Sequence, residues 1–130
     1  SNLDNQSNQQ SINDSSQLSS IDLEWLTSLE TTVKNQISHT DFNVNQLCFK
    51  LAISSSQLYR KTKSLTGLSP KEYINQIRYS TARQFLETNT FHSVKRIAYE
   101  VGFKDEKYFS RNFKKRFGKY PSEYLTQEIY

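Results

Sequence analysis

The side chains able to do chemistry in this 130-residue chain fall into two groups, one of them nearly empty. Acid–base or nucleophilic catalysis needs converging His, Cys, Asp or Glu side chains. The only histidines are His39 and His92, in loop-like stretches, and the only cysteine is Cys48, with no carboxylate at ligand spacing. A single cysteine also excludes a disulfide framework and a multi-cysteine metal site. No catalytic residue, metal or cofactor is therefore expected. The second group is well filled. Arg60 and Lys63 are matched 51 positions later by Arg111 and Lys114. Around the first pair stand Ser55, Ser56 and Tyr59; around the second stand Glu106, Lys107, Ser110 and Lys115. Cationic and hydroxyl groups repeated along one helix face can reach the base edges and phosphates of a nucleic-acid duplex.

The charge layout points the same way. Residues 1–45 hold six acids and one base, a net −5, whereas residues 46–130 hold sixteen bases and seven acids, a net +9. That asymmetry suits a polyanionic partner for the C-terminal two thirds, although a solvated basic face has the same composition. No stretch approaches the ~20 apolar residues of a bilayer span. The chain has no Met, not even at position 1, and reads as a piece of a longer protein.

Fifteen of the first twenty residues are Ser, Asn or Gln. Such a segment buries too little apolar surface to offset the entropy of ordering it, so residues 1–20 are expected to be a disordered linker or tag. From Ile21 the apolar period becomes helical. Leu26, Leu29, Val33 and Ile37 form one stripe, broadened near its start by Ile21, Leu23 and Trp25, with Ser20 or Asp22 as cap. Asn43 with Gln46, and Ser54 with Gln57, have the spacing of capping boxes. Ser69-Pro70-Lys71-Glu72 adds a proline at the first helical position and opens a helix reaching about Thr88. Ser93 and Asp105 open two more, Gly67 and Gly118 suit C-terminal positions, and Pro121 begins a last helix. No segment alternates as a strand does. The fold class is all-α.

The chain also repeats itself. Gly67, Pro70, Glu72 and Tyr73 match Gly118, Pro121, Glu123 and Tyr124 at an offset of 51, and Leu58 falls on Phe109. Upstream the offset is 50, pairing Leu47 with Ile97, Leu51 with Val101 and Ala52 with Gly102. The second unit therefore holds one extra residue in the turn between its helices. A short apolar helix, a tight turn and a second helix with a polar outer face make a helix-turn-helix, though a plain helical hairpin packs alike. A connector of roughly 20 residues spans about 30 Å. One turn of B-DNA is about 34 Å, so the two second helices could meet successive major grooves.

With these residues in view, positions 42–125 resemble the C-terminal DNA-binding domain of AraC/XylS-type transcription regulators. The second unit carries the pattern: Ala98, Gly102-Phe103, Asp105, Tyr108-Phe109, Arg111, Phe113-Lys114-Lys115, Gly118, Pro121 and Tyr124. Tyr120 departs from it, standing where Ser or Thr usually precedes the proline and removing a side-chain cap worth about 1 kcal/mol. Leu125 stands where a basic residue often follows the tyrosine. Cys48 takes a small-residue position and reads as a buried small hydrophobe. The lead-in around Trp25 and the Ser56–Lys61 run further resemble the output domain of hybrid two-component regulators of Bacteroides-type bacteria.

The resemblance implies two homeodomain-like helix-turn-helix subdomains joined by a long connector, seven helices in all. The divisions are 21–41 for the lead-in helix, 42–68 for the first unit, 69–89 for the connector and 90–130 for the second unit with the C-terminal helix. Base readout is carried onto Ser56, Tyr59 and Arg60 and onto Glu106, Lys107, Ser110 and Arg111. Arg can donate twice to guanine; Glu106 can accept from cytosine N4 or serve as a charge favoured at a helix start. Phosphate contacts fall to Ser55, Lys63, Lys114, Lys115, Arg78 and Arg83, with a solvated role for Arg78 and Arg83 equally open. The implied partners are double-stranded DNA, an upstream receiver or sensor domain that controls the domain by phosphorylation, a second copy on tandem sites, and RNA polymerase. The implied location is the cytoplasm, with any histidine kinase activity or inner-membrane anchor elsewhere in the parent chain. The rival reading is a helical protein–protein interaction module.

Overall fold

The computed structural model describes residues 18–125. Expectations for residues 1–17 and 126–130 lie outside the described residues. Seven α-helices make up the described chain, without strands: α1 (Ser20–Gln36), α2 (Val44–Leu51), α3 (Ser55–Thr66), α4 (Pro70–Glu87), α5 (Val94–Glu100), α6 (Glu106–Phe117) and α7 (Pro121–Leu125).

Local chemistry sets most of the boundaries. Asn43 and Gln46 form a reciprocal capping box at the start of α2, as do Ser69 and Glu72 at α4, where Pro70 is the first helical residue. Ser54 caps α3 through the Gln57 amide, and Ser93 caps α5 through the Arg96 amide. Asp105 accepts from both the Lys107 and Tyr108 amides at the start of α6. Each such cap contributes about 1 kcal/mol. The missing cap at Tyr120 is partly offset: its amide donates to Glu123, the returning half of a capping box.

The lead-in helix differs from expectation in two details. Its N-cap is Ser19, whose hydroxyl accepts from the Asp22 amide, so the helix starts inside the stretch read as linker. Ile21 and Leu23 do not broaden its buried stripe; they are 71% and 56% exposed. They fall outside the Leu29–Val33–Ile37 line that packs on the body of the protein.

The internal repeat is reproduced at the backbone. Ala52 and Gly102, paired at offset 50, both have positive φ, 53° and 92°. The Ile53 amide donates to Cys48 O, and the Phe103 amide donates to Ala98 O, the same bond 50 residues apart. From there three residues, Ala52 to Ser54, lead into α3, but four, Gly102 to Asp105, lead into α6. At the far ends Gly67 and Gly118 take φ 78° and 86°, and their amides donate to the carbonyls of Lys63 and Lys114.

The connector α4 has 18 residues, so it is about 27 Å long. It packs against α1 and α3 of the N-terminal part and against α5 and α7 of the C-terminal part. Leu47 and Leu58 are fully buried in the first unit, and Ile97, Phe109 and Phe113 in the second. An aromatic row links the connector to the second unit. Tyr79 stacks on Phe109 at 5.8 Å between centroids, and Phe113 meets Phe109, Phe117 and Tyr124 at 5.7, 4.6 and 5.7 Å. The four-residue step of Phe109, Phe113 and Phe117 puts the three rings on one side of α6.

Candidate nucleic-acid interface

Helices α3 and α6 are held by opposite faces with opposite chemistry. In α3, Leu58 and Thr62 are buried one turn apart; in α6, Phe109 and Phe113 are. Those anchors turn the remaining stripe outward. Ser56, Tyr59, Arg60 and Lys63 are exposed on α3, and Lys107, Arg111 and Lys114 are exposed on α6, position for position at offset 51. Ser110, the partner of Tyr59, is half-buried. Ser55 and Glu106 are the exposed first residues of the two helices, and Lys115 is exposed beside Lys114.

Availability matters as much as exposure. Among the described residues, Arg60, Lys107, Arg111 and Lys115 form no ion pair. Neighbouring cations are engaged within the protein. Lys61 Nζ lies 5.0 Å from the Trp25 ring centre, and the Arg116 guanidinium lies 4.7 Å from that of Tyr79. Arg83 pairs with Glu87 at 2.6 Å and also covers Phe117, so it braces the connector against the end of α6. Lys114 sits over Tyr120 at 4.4 Å, an exposed contact that keeps its ammonium at the surface. Two of these contacts, Lys61 on Trp25 and Arg116 on Tyr79, had no counterpart in the sequence reading. Rings 36 and 37 residues distant leave no mark in local spacing.

Arg78 is a correction. It was a candidate phosphate contact, but it is only 5% exposed and its guanidinium is spent inside the protein. Nη1 donates to Ile37 O and Val101 O, and Nη2 donates to His39 O and Phe42 O. Burial lowers its pKa from the usual guanidinium value, yet arginine stays charged in proteins. A buried cation held by four carbonyls cannot reach a phosphate. The clue in the sequence is its place in the series Ile74, Arg78, Ala82, where a charge falls on the buried stripe.

No group of three or more His, Cys, Asp or Glu among the described residues could hold a metal ion. No described helix is long and apolar enough to cross a membrane.

Two helix-turn-helix units on one connector, each showing the same cationic stripe, define a bipartite helix-turn-helix DNA-binding domain. The helix-turn-helix domain family model matches residues 33–127, and the chain belongs to this family, in its AraC type, a family of transcription regulators. It is 38% identical over 110 residues to Histidine kinase P4 of Formosa agariphila, covering 85% of this chain and 8% of that protein. The chain thus spans less than a tenth of that relative's length. Among solved structures, the C-terminal domain of AraT, a response regulator from Geobacillus stearothermophilus, superposes with a TM-score of 0.71. Identity there is 25%, over 88% of this chain and 90% of that one. The DNA-binding domain of AdpA, solved in complex with a target DNA, shares the fold with a TM-score of 0.69, at 24% identity over 78% of this chain and 90% of that one.

Proposed function

We propose that this domain is the output element of a longer regulator and reads double-stranded DNA with α3 and α6 in successive major grooves. Base readout falls to Ser56, Tyr59 and Arg60 in the first unit and to Glu106, Lys107, Ser110 and Arg111 in the second. Phosphate contacts fall to Ser55, Lys63, Lys114 and Lys115. The observation that carries the reading is the duplicated exposed stripe, with its arginine at the same place in each helix and, among the described residues, no acid paired with either. An arginine in that position can fork onto guanine O6 and N7. The connector length supports the two-groove geometry: about 27 Å of helix is comparable with a DNA repeat of about 34 Å.

The regulator is of the two-component kind in this reading, with an upstream receiver whose phosphorylation controls the domain. The likeness to AraT, a response regulator, and to a protein named a histidine kinase supports it. The location that follows is the cytoplasm, where the DNA is. A second copy on tandem sites and RNA polymerase are the further partners.

The test is a binding series against salt on a selected duplex and a scrambled one. DNA contact through the six cations Arg60, Lys63, Lys107, Arg111, Lys114 and Lys115 predicts an affinity that falls steeply and log-linearly with salt, with the selected duplex preferred throughout. A flat salt response with no duplex preference would instead favour a helical protein–protein module.

A further inference from the structure

Arg78 stands at the midpoint of the connector, and its four acceptors come from two separate parts of the chain, the link between α1 and α2 and the end of α5. Ile37 is the C-cap of α1, and His39 follows it in the link to the first unit. Phe42 immediately precedes Asn43, the N-cap of α2. Val101 is the C-cap of α5, directly before the turn that leads into α6. One nitrogen, Nη1, is shared by Ile37 O and Val101 O. The end of the lead-in helix and the hinge of the second unit therefore meet at a single atom.

Two of these carbonyls lie at helix C-termini, where orphan acceptors need donors and the helix dipole favours a cation. That explains how the charge is accommodated without a carboxylate. The geometry needs the planar fork of arginine, because a lysine ammonium has the charge but not the fixed spread of donors. It also needs a bare backbone at position 102, since an added Cβ there would collide with Nη1 and with Ile37 O. The principal helix contacts run within each unit or to α4, and the units are joined chiefly through α4 and what is fixed to it.

We propose that Arg78 is the positioning residue that fixes the angle between the reading helices, and hence the spacing of the two DNA boxes the domain can read together. The inference rests on the two-groove reading above. One base pair inserted between boxes turns the second by about 35° relative to the first, so a rigid domain must lose affinity.

The test has two arms, each with Arg78→Lys and Arg78→Gln. In the first, without DNA, spin labels are placed at Ser64→Cys on α3 and Ser122→Cys on α7, in a Cys48→Ala background. A narrow distance distribution is expected for the parent, and a broadened or shifted one for the Arg78 variants at unchanged helicity. An unchanged distribution in folded Arg78→Lys would overturn the proposal; Arg78→Lys carries the arm alone should Arg78→Gln not fold. In the second arm, the parent should lose about tenfold in affinity when one base pair is inserted between boxes. Arg78→Lys should bind an isolated box normally but lose less than about threefold on the insertion. Equal losses on single-box and two-box duplexes would also overturn it. A parent that shows no two-box preference would defeat the two-groove reading, while the distance arm would still judge the role of Arg78.

Discussion

Arg78 fills the space that a side chain on Gly102 would need: an ideal Cβ at position 102 would lie 1.5 Å from Arg78 Nη1. Gly67 and Gly118 also have positive φ, but nothing among the described residues lies within 4 Å of their Cβ positions. The three glycines are thus equivalent in backbone and different in surroundings. Alanine at Gly67 or Gly118 should cost about 1 kcal/mol, the price of the left-handed conformation alone. Gly102→Ala should cost about 3 kcal/mol or more, because it also displaces a buried guanidinium from its acceptors. Thermal melts of the three variants check the contrast; equal losses would show that the clamp contributes little.

Thr62 offers a change in the opposite direction. It is fully buried against the core of the first unit, and its Oγ1 has no hydrogen-bond partner among the described residues. An unsatisfied buried hydroxyl costs about 1–3 kcal/mol, and valine has nearly the same shape. Thr62→Val should therefore stabilise the domain by about 1 kcal/mol, read as a higher denaturation midpoint at unchanged slope. A lower midpoint would mean that the hydroxyl has a partner in solution.

Alkaline stability follows from Tyr73 and Tyr79. Burial pushes both phenols up to about 12 from an ordinary 10.0; the nearby Glu30 adds to this for Tyr73, and Tyr108 adds to it for Tyr79, where Arg116 opposes it. The neutral phenol is the form the fold prefers, so this contribution is fully present below pH 10 and is lost as the pH rises towards 12. Denaturant midpoints measured across that window should fall, and Tyr73→Phe should flatten the fall. An unchanged pH profile in Tyr73→Phe would contradict this.

How much of this was legible in the sequence depends on the range of the interaction. Caps such as Asn43 with Gln46, Ser69 with Glu72 and Asp105 act over three residues, and their types announce them. The duplication exposed the turns, down to the one extra residue before α6, because each unit served as a template for the other. The role of Arg78 is not legible in the sequence because its partners are backbone carbonyls 23 to 41 residues away, which every residue type supplies. Ile21 and Leu23 misled for the converse reason: an apolar residue near a helix end carries no mark of whether anything covers it.

The phosphate set is tested by salt. Lys114→Ala or Lys115→Ala should weaken selected and scrambled duplexes alike and make the salt slope shallower by about one unit. Lys114 also lies over Tyr120, so Tyr120→Phe, which keeps the ring, is the control that should leave the slope unchanged. A loss confined to the selected duplex would move either lysine into base readout.

The most direct test of the two-prong arrangement is selection of bound duplexes from a random pool, repeated with Arg60→Ala and Arg111→Ala. The account predicts two preferred blocks about 10–10.5 base pairs apart, centre to centre. Arg60→Ala should relax one block and Arg111→Ala the other, each at about 1–3 kcal/mol. A single block, or the same block relaxed by both substitutions, would contradict it.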